Sequence, residues 1–173
     1  IPLIMVGADI PEGKVCRTPV TLVDAYQTIL QGCGFEQKGG TPELPGRSWF
    51  DIACEKDDLN RISFSEYHAA GSPSGAFMIR KGRYKFIYYA GYEPELFDLR
   101  DDPEELVNLA DDKAYRHVVE EYNDDLRGIC DPDKIDRQAK DDQNSLIERF
   151  GGRERALHSG TPGATPAPGQ GHE

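Results

Sequence analysis

Apolar positions along this chain change their spacing several times. Ile1 to Val6 is a nearly continuous apolar run, the mark of a strand buried on both faces. Ala8 to Lys14 holds Asp9, Pro11, Glu12 and Gly13, a turn composition. From Leu22 to Gln31 the period becomes helical, with Leu22, Ala25, Tyr26, Ile29 and Leu30 on one face. Thr18 or Thr21 is placed to cap this helix, and Gly32 and Gly34 to stop it. Residues 35 to 47 read as loop, followed by a short helical turn over Trp49 to Ala53.

The period then drops to two. In Arg61 to His68, Ile62, Phe64 and Glu66 alternate with Ser63, Ser65 and Tyr67. Ala76 to Arg80 and Tyr84 to Tyr89 are two more strands, joined through Lys81-Gly82-Arg83 into a tight hairpin. Glu95 to Leu99 is a fourth. Such short links predict an antiparallel sheet. Acidic turns follow, then a helix over about Lys113 to Arg127, with Tyr115, Val118, Val119, Tyr122 and Leu126 at helical spacing. Cys130-Asp131-Pro132 breaks it. A second helix, about Pro132 to Phe150, carries few large apolar residues and reads as a surface helix. The Pro-, Gly- and Ala-rich end cannot bury enough apolar surface to offset its ordering entropy and is expected to be disordered.

A chain of 173 residues is long enough for a domain with a real core. Its net charge of −11, from 20 basic and 31 acidic residues, argues against nucleic-acid partners and against binding at an anionic membrane. The apolar stretches fall far short of the roughly 20 residues of a membrane helix. Cys16, Cys33, Cys54 and Cys130 are too widely spaced for a zinc site or a disulfide framework, so reduced thiols in a cytoplasmic setting are expected, with periplasmic or secreted alternatives. Because the chain opens on a core strand, Ile1 rather than Met, a fragment of a larger body is expected.

Candidate chemistry is sparse. Cys33, between two glycines, reads as a small buried hydrophobe, and His117 as an exposed surface residue. Asp98, Asp101 and Asp102 suit a turn that bonds its own backbone. Asp131, Asp133 and Asp136 resemble half a calcium loop but lack its glycine and closing Glu. Arg80, Lys81, Arg83 and Lys85 form a basic hairpin, read as a solvated turn or, alternatively, as a face for an anionic ligand. Glu66 and His68 are the best pair. They project to one side if the strand continues, and a loop of small residues follows them. They could bind a cationic or hydroxylated substrate group; a sheet-edge pair is the plain alternative.

Three ordered stretches carry a resemblance. They are Ile1 to Gly7 with Thr18 to Leu30; Leu44-Pro45-Gly46-Arg47-Ser48; and Ser65 to His68, Met78 to Ile87, then Glu95-Leu96-Phe97-Asp98-Leu99 through Asp102-Pro103-Glu104-Glu105 to Asn108-Leu109-Ala110. In this order the chain resembles the C-terminal portion of the sulfatase family, in the alkaline-phosphatase-like superfamily. The resemblance implies an α/β class (α+β within this portion): the last strand and helix of an alkaline-phosphatase-like α/β domain, then a small antiparallel sheet with packed helices. The expected divisions are residues 1–55, the end of the catalytic domain; 56–128, the sheet subdomain; 129–155, a surface helix; and 156–173, a disordered tail.

It also implies a parent that hydrolyses sulfate monoesters with a formylglycine and a divalent metal, usually Ca²⁺. None of the family's catalytic or metal residues matches a position here, so the chain is expected to bind no cofactor and to be inactive alone. Cys16-Arg17-Thr18-Pro19 does not fit the Cys-x-Pro-x-Arg spacing of the formylglycine motif. Similarity to choline-sulfatase-like members places Glu66, with His68 beside it, near the substrate's cationic end. It implies a small-molecule sulfate ester as partner and a homo-oligomeric parent. A phosphonate monoester hydrolase or phosphodiesterase of the same superfamily, or a non-catalytic cap, are the alternatives.

Overall fold

The structure, a computed structural model, describes residues 3–35, 45–68 and 72–158. It divides into two units, Ile1–Pro132 and Asp133–Glu173. In the first, helix α1 (Asp24–Gly32) and the short α2 (Trp49–Cys54) precede four strands: β1 (Ser63–Tyr67), β2 (Ala76–Lys81), β3 (Tyr84–Tyr89) and β4 (Glu95–Asp98). The 3₁₀ turn Lys113–Tyr115 leads into α3 (Arg116–Ile129). The sheet is an antiparallel meander in the order β1-β2-β3-β4, as the short links require.

Register fixes the core. Phe64, Ile79, Phe86 and Leu96 stand opposite one another across the four strands, so their side chains share a face. Ile79, Phe86 and Leu96 are buried, and so are Val118, Tyr122 and Leu126 of α3, which packs on this face. Two interactions hold α3 there. The Tyr122 hydroxyl donates to the Lys81 carbonyl at 2.5 Å, and burial pushes that phenol up to about 12. The Lys81 ammonium reaches Asp125 Oδ2 at 2.7 Å and Glu121 Oε1 at 2.6 Å; those hydrogen bonds, Asp125 first, raise its pKa.

The basic hairpin is therefore not a solvated turn. Lys81 holds α3, Arg83 holds Asp98 and Asp101, and Lys85 holds Glu105 at 2.5 Å. Arg80 is exposed. Acidic residues close the loop after β4 as expected of a self-bonded turn. Asp98 Oδ1 accepts from the Arg100 N–H and Asp102 Oδ2 from the Val107 N–H at 2.9 Å. Asn108 then seals the sheet edge. Its Oδ1 accepts from the Leu96 and Ala110 N–H groups at 3.0 Å each, while the Leu109 N–H donates to the Leu96 carbonyl at 2.8 Å.

One carboxylate joins α1, the turn before α2 and the entry to the sheet. Asp24 is fully buried. Its Oδ2 accepts from the Thr21 N–H at 2.8 Å; its Oδ1 accepts from the Arg47 N–H at 2.9 Å and from Arg61 Nη2 at 2.7 Å. Burial works to raise its pKa, but the Arg61 hydrogen bond and the two backbone donors outweigh burial and hold the carboxyl below its ordinary 3.8. Gly46 makes the approach of Arg47 possible: its φ is +96°, and a Cβ there would lie 2.8 Å from the Val23 carbonyl oxygen. Thr28 adds a second fastening, its Oγ1 accepting from the Trp49 N–H at 2.9 Å.

Three expectations are corrected. Residues 3–6, expected as a central strand, form none, and Val6 is 93% exposed. A strand needs a partner, and the four-stranded sheet does not take this segment in. The apolar face of α1 points outward, with Leu22, Tyr26 and Ile29 all more than half exposed. The inward face is the polar one, because Asp24 and Thr28 make the anchoring hydrogen bonds. Cys33 is exposed rather than buried, since it caps a last turn in which Gln31 and Gly32 also face solvent. None of the four cysteines is in a disulfide.

The second unit holds α4, a helix over Pro132–Arg149 that begins at the unit boundary, and α5 (Gly152–His158). Within it, Lys140 Nζ donates to Asp136 Oδ2 at 2.8 Å, one helical turn apart. Helix α5 continues past residue 155, where the sequence reading ends its surface helix. The expected disordered stretch beyond residue 158 lies outside the described residues.

Asp24→Ala would take from the half-buried Arg61 guanidinium its only carboxylate partner among the described residues, leaving it the Pro19 carbonyl, and cost about 3 kcal/mol in a denaturant titration. Because the folded-state pKa of Asp24 is depressed, its contribution is complete above the unfolded-state value near 3.8 and fades as pH falls below it. Asp24→Asn should flatten that acid limb, measured as unfolding midpoint against pH between about 2 and 5. Leu126→Ala, at a position with no exposed surface, should cost about 2–5 kcal/mol in the same titration.

Candidate functional site

The candidate site lies where β1 ends. Register sets Glu66 opposite Phe77 and Phe77 opposite Tyr88, a row across three strands on the α3 side of the sheet. His68 follows the last residue of β1. The Glu66 Oε2 to His68 Nε2 distance is 3.6 Å, so the expected projection to one side is found, and protonation of the imidazole makes the contact an ion pair. The His68 ring stands edge-on to Phe77, with centroids 5.2 Å apart and planes at 76°. The Glu66 side chain is 42% exposed and can meet a ligand; that of His68 is 21% exposed, with both ring nitrogens buried.

The end of α3 supplies the other side. The Arg127 guanidinium lies 5.3 Å from the Tyr88 ring centroid, over its face, and Nη2 is 3.5 Å from the Tyr88 hydroxyl. Cys130 follows α3. Burial first, then the charges of Glu66 and Asp131, push its thiol up, while Arg127 pulls it down. An activated nucleophile needs the opposite shift. Elsewhere, Cys16 turns its sulfur toward the Ile52 carbonyl at 3.8 Å, and His117 is exposed as expected.

This arrangement suits binding rather than bond cleavage. A carboxylate and an imidazole in contact can take up a hydroxyl or cationic group. Among the described residues no three His, Cys, Asp or Glu side chains are placed to hold a metal ion. Sequence reading brought Glu66 and His68 together but missed Tyr88, Arg127 and Cys130. The hairpin register carried a signal for Tyr88, since it follows from the turn at Lys81-Gly82-Arg83. Nothing in the sequence places the end of α3 over that row.

A family model described as N-sulphoglucosamine sulphohydrolase, C-terminal, matches residues 1–131. Arylsulfatase K of Danio rerio is 32% identical over 145 residues, covering 76% of this chain and 26% of that protein. A Bacteroides thetaiotaomicron structure described as that of a sulfatase aligns at a TM-score of 0.51 and 27% identity, over 70% of this chain and 25% of the other. A 2-O GAG sulfatase structure aligns at 0.50 and 27%, over 70% and 26%. The chain spans about a quarter of the length of the curated relatives it matches.

Removing the Glu66 charge should lower the Cys130 pKa while leaving its burial in place. Glu66→Gln is therefore expected to speed alkylation of Cys130 at pH 8 by about two- to fivefold. Peptide-level mass spectrometry separates this site from the exposed Cys33 and Cys54; an unchanged rate at Cys130 would rule out the proximity of the two side chains.

Proposed function

We propose a function from one premise: this chain belongs to the N-sulphoglucosamine sulphohydrolase C-terminal family, the closing portion of sulfatases. It is the C-terminal part of a sulfuric ester hydrolase whose parent cleaves sulfate monoesters. The observation that carries this reading is the ordered series of family motifs, of which the second and third have structural tasks in one fold. Gly46-Arg47 meets Asp24; Asp98, Asp102 and Asn108 close the sheet; both belong to the matched residues 1–131. The outward apolar face of α1 supports the same reading, because Leu22, Tyr26 and Ile29 need cover that a larger α/β body provides.

In that parent, sulfate release falls to residues other than those described here. A sulfatase's divalent metal, Ca²⁺ in the usual case, polarises the ester beside a formylglycine. The described residues offer no metal donor set, and Cys16 lacks the required spacing to a proline, so neither group is assigned to this chain. The chain's own part is to place Glu66 and His68 against the substrate. Glu66 accepts from a hydroxyl or pairs with a cationic group, and the His68 imidazole stands beside it. The four thiols favour a reducing, cytoplasmic compartment. The parent is read as a homo-oligomer acting on a small sulfate ester.

The test is an assay of the whole gene product on an aryl sulfate and on a phosphodiester, beside the 173-residue chain. The whole product should favour the sulfate ester, and the chain alone should release none. Sulfate release by the isolated chain would overturn the division of labour. Glu66→Gln or His68→Ala in the whole product should raise KM about tenfold, the worth of one hydrogen bond to a charged group. A fall in kcat at constant KM would reject a substrate-binding role.

A further inference from the structure

We propose that Gly75 is a positioning residue whose missing side chain leaves the space in which the His68 imidazole is held against Phe77 and beside Glu66. The inference rests on the reading of Glu66 and His68 as substrate-binding groups. Gly75 immediately precedes β2 and is buried. Its φ lies outside the left-handed region, so backbone conformation does not call for glycine there. The surroundings do. A Cβ at this position would stand 2.8 Å from His68 Cε1, 2.9 Å from His68 Nδ1 and 2.9 Å from Phe77 Cε2.

Something must move if a methyl group is added, and the neighbours differ in their freedom to do so. Phe77 has no exposed surface and is packed within the β1-β2-β3 ladder. The Gly75 backbone is tied down, its carbonyl accepting from the Ala90 N–H at 3.1 Å. The imidazole, with a fifth of its side chain at the surface, is the least enclosed of the three and the one to give way. Its departure would end both the edge-on contact with Phe77 and the 3.6 Å approach to Glu66. The bare Cα at residue 75 therefore sets the rotamer of His68, and through it the direction in which the Glu66–His68 pair faces a ligand.

The full 173-residue chain tests this without substrate. In Gly75→Ala the His68 ring proton resonances should lose the ring-current shift imposed by Phe77, while the Val118 and Leu126 methyl resonances stay in place. Gly75→Ala should also lower the thermal midpoint, and the loss should be smaller when His68→Ala is already present, what remains being the approach to Phe77. His68 resonances that do not move, or an equal loss in both backgrounds, would overturn the proposal. Should Gly75→Ala fail to fold alone, folding of the Gly75→Ala, His68→Ala double variant supports it and failure of both overturns it. In the whole gene product, Gly75→Ala should raise KM as His68→Ala does. An unmoved KM beside moved His68 resonances overturns the substrate-binding reading and upholds the role of Gly75.

Discussion

The buried Asp24 carboxylate is the point at which the segments before β1 meet. Three segments distant in sequence converge on it: the approach to α1 through the Thr21 N–H, the Gly46-Arg47 turn through a backbone N–H, and the entry to the sheet through the Arg61 guanidinium. A buried carboxylate is costly unless its lone pairs are filled. Here one cation and two backbone donors fill them, and the pKa shift records the outcome. The arrangement also decides which side of α1 faces in. An aliphatic face would normally win the interior. It loses here because the hydrogen bonds of Asp24 and Thr28 are directional and lie on the opposite side.

The same logic extends through the sheet. Three cations of the β2–β3 hairpin each take an acid from another element: Lys81 from α3, Arg83 from the turn after β4, and Lys85 from Glu105. The strongly acidic composition is thus partly structural rather than only a solubilising coat. The motifs that carry the family likeness are these fastenings. This explains how the chain keeps so recognisable a signature.

Legibility in the sequence followed how local each interaction is. The four strands, their alternation and the β2–β3 hairpin were readable because a period of two and a short turn are local signals. Helix α3 was readable from Val118, Tyr122 and Leu126, which repeat every turn. The fate of Leu3 to Val6 was not, since a strand is defined by a neighbour and none of the four described strands pairs with it. The outward turn of α1 was hidden for the same reason: Arg61 lies 37 residues from Asp24. At the candidate site, Glu66 and His68 are two residues apart and could be paired on paper. Cys130 and Arg127 come from the far end of a helix, and only packing brings them near.

The seal at Asn108 gives the sheet a direction. Its side chain and the Leu109 N–H occupy the Leu96 backbone groups on the outer side of β4, so that rim is chemically finished. β1 is the opposite rim, with Ser65, Glu66 and Tyr67 at the surface. Unsatisfied amides and carbonyls on an outermost strand template the addition of foreign backbone. At Leu96 those groups are already taken, so the β4 rim offers no such template there.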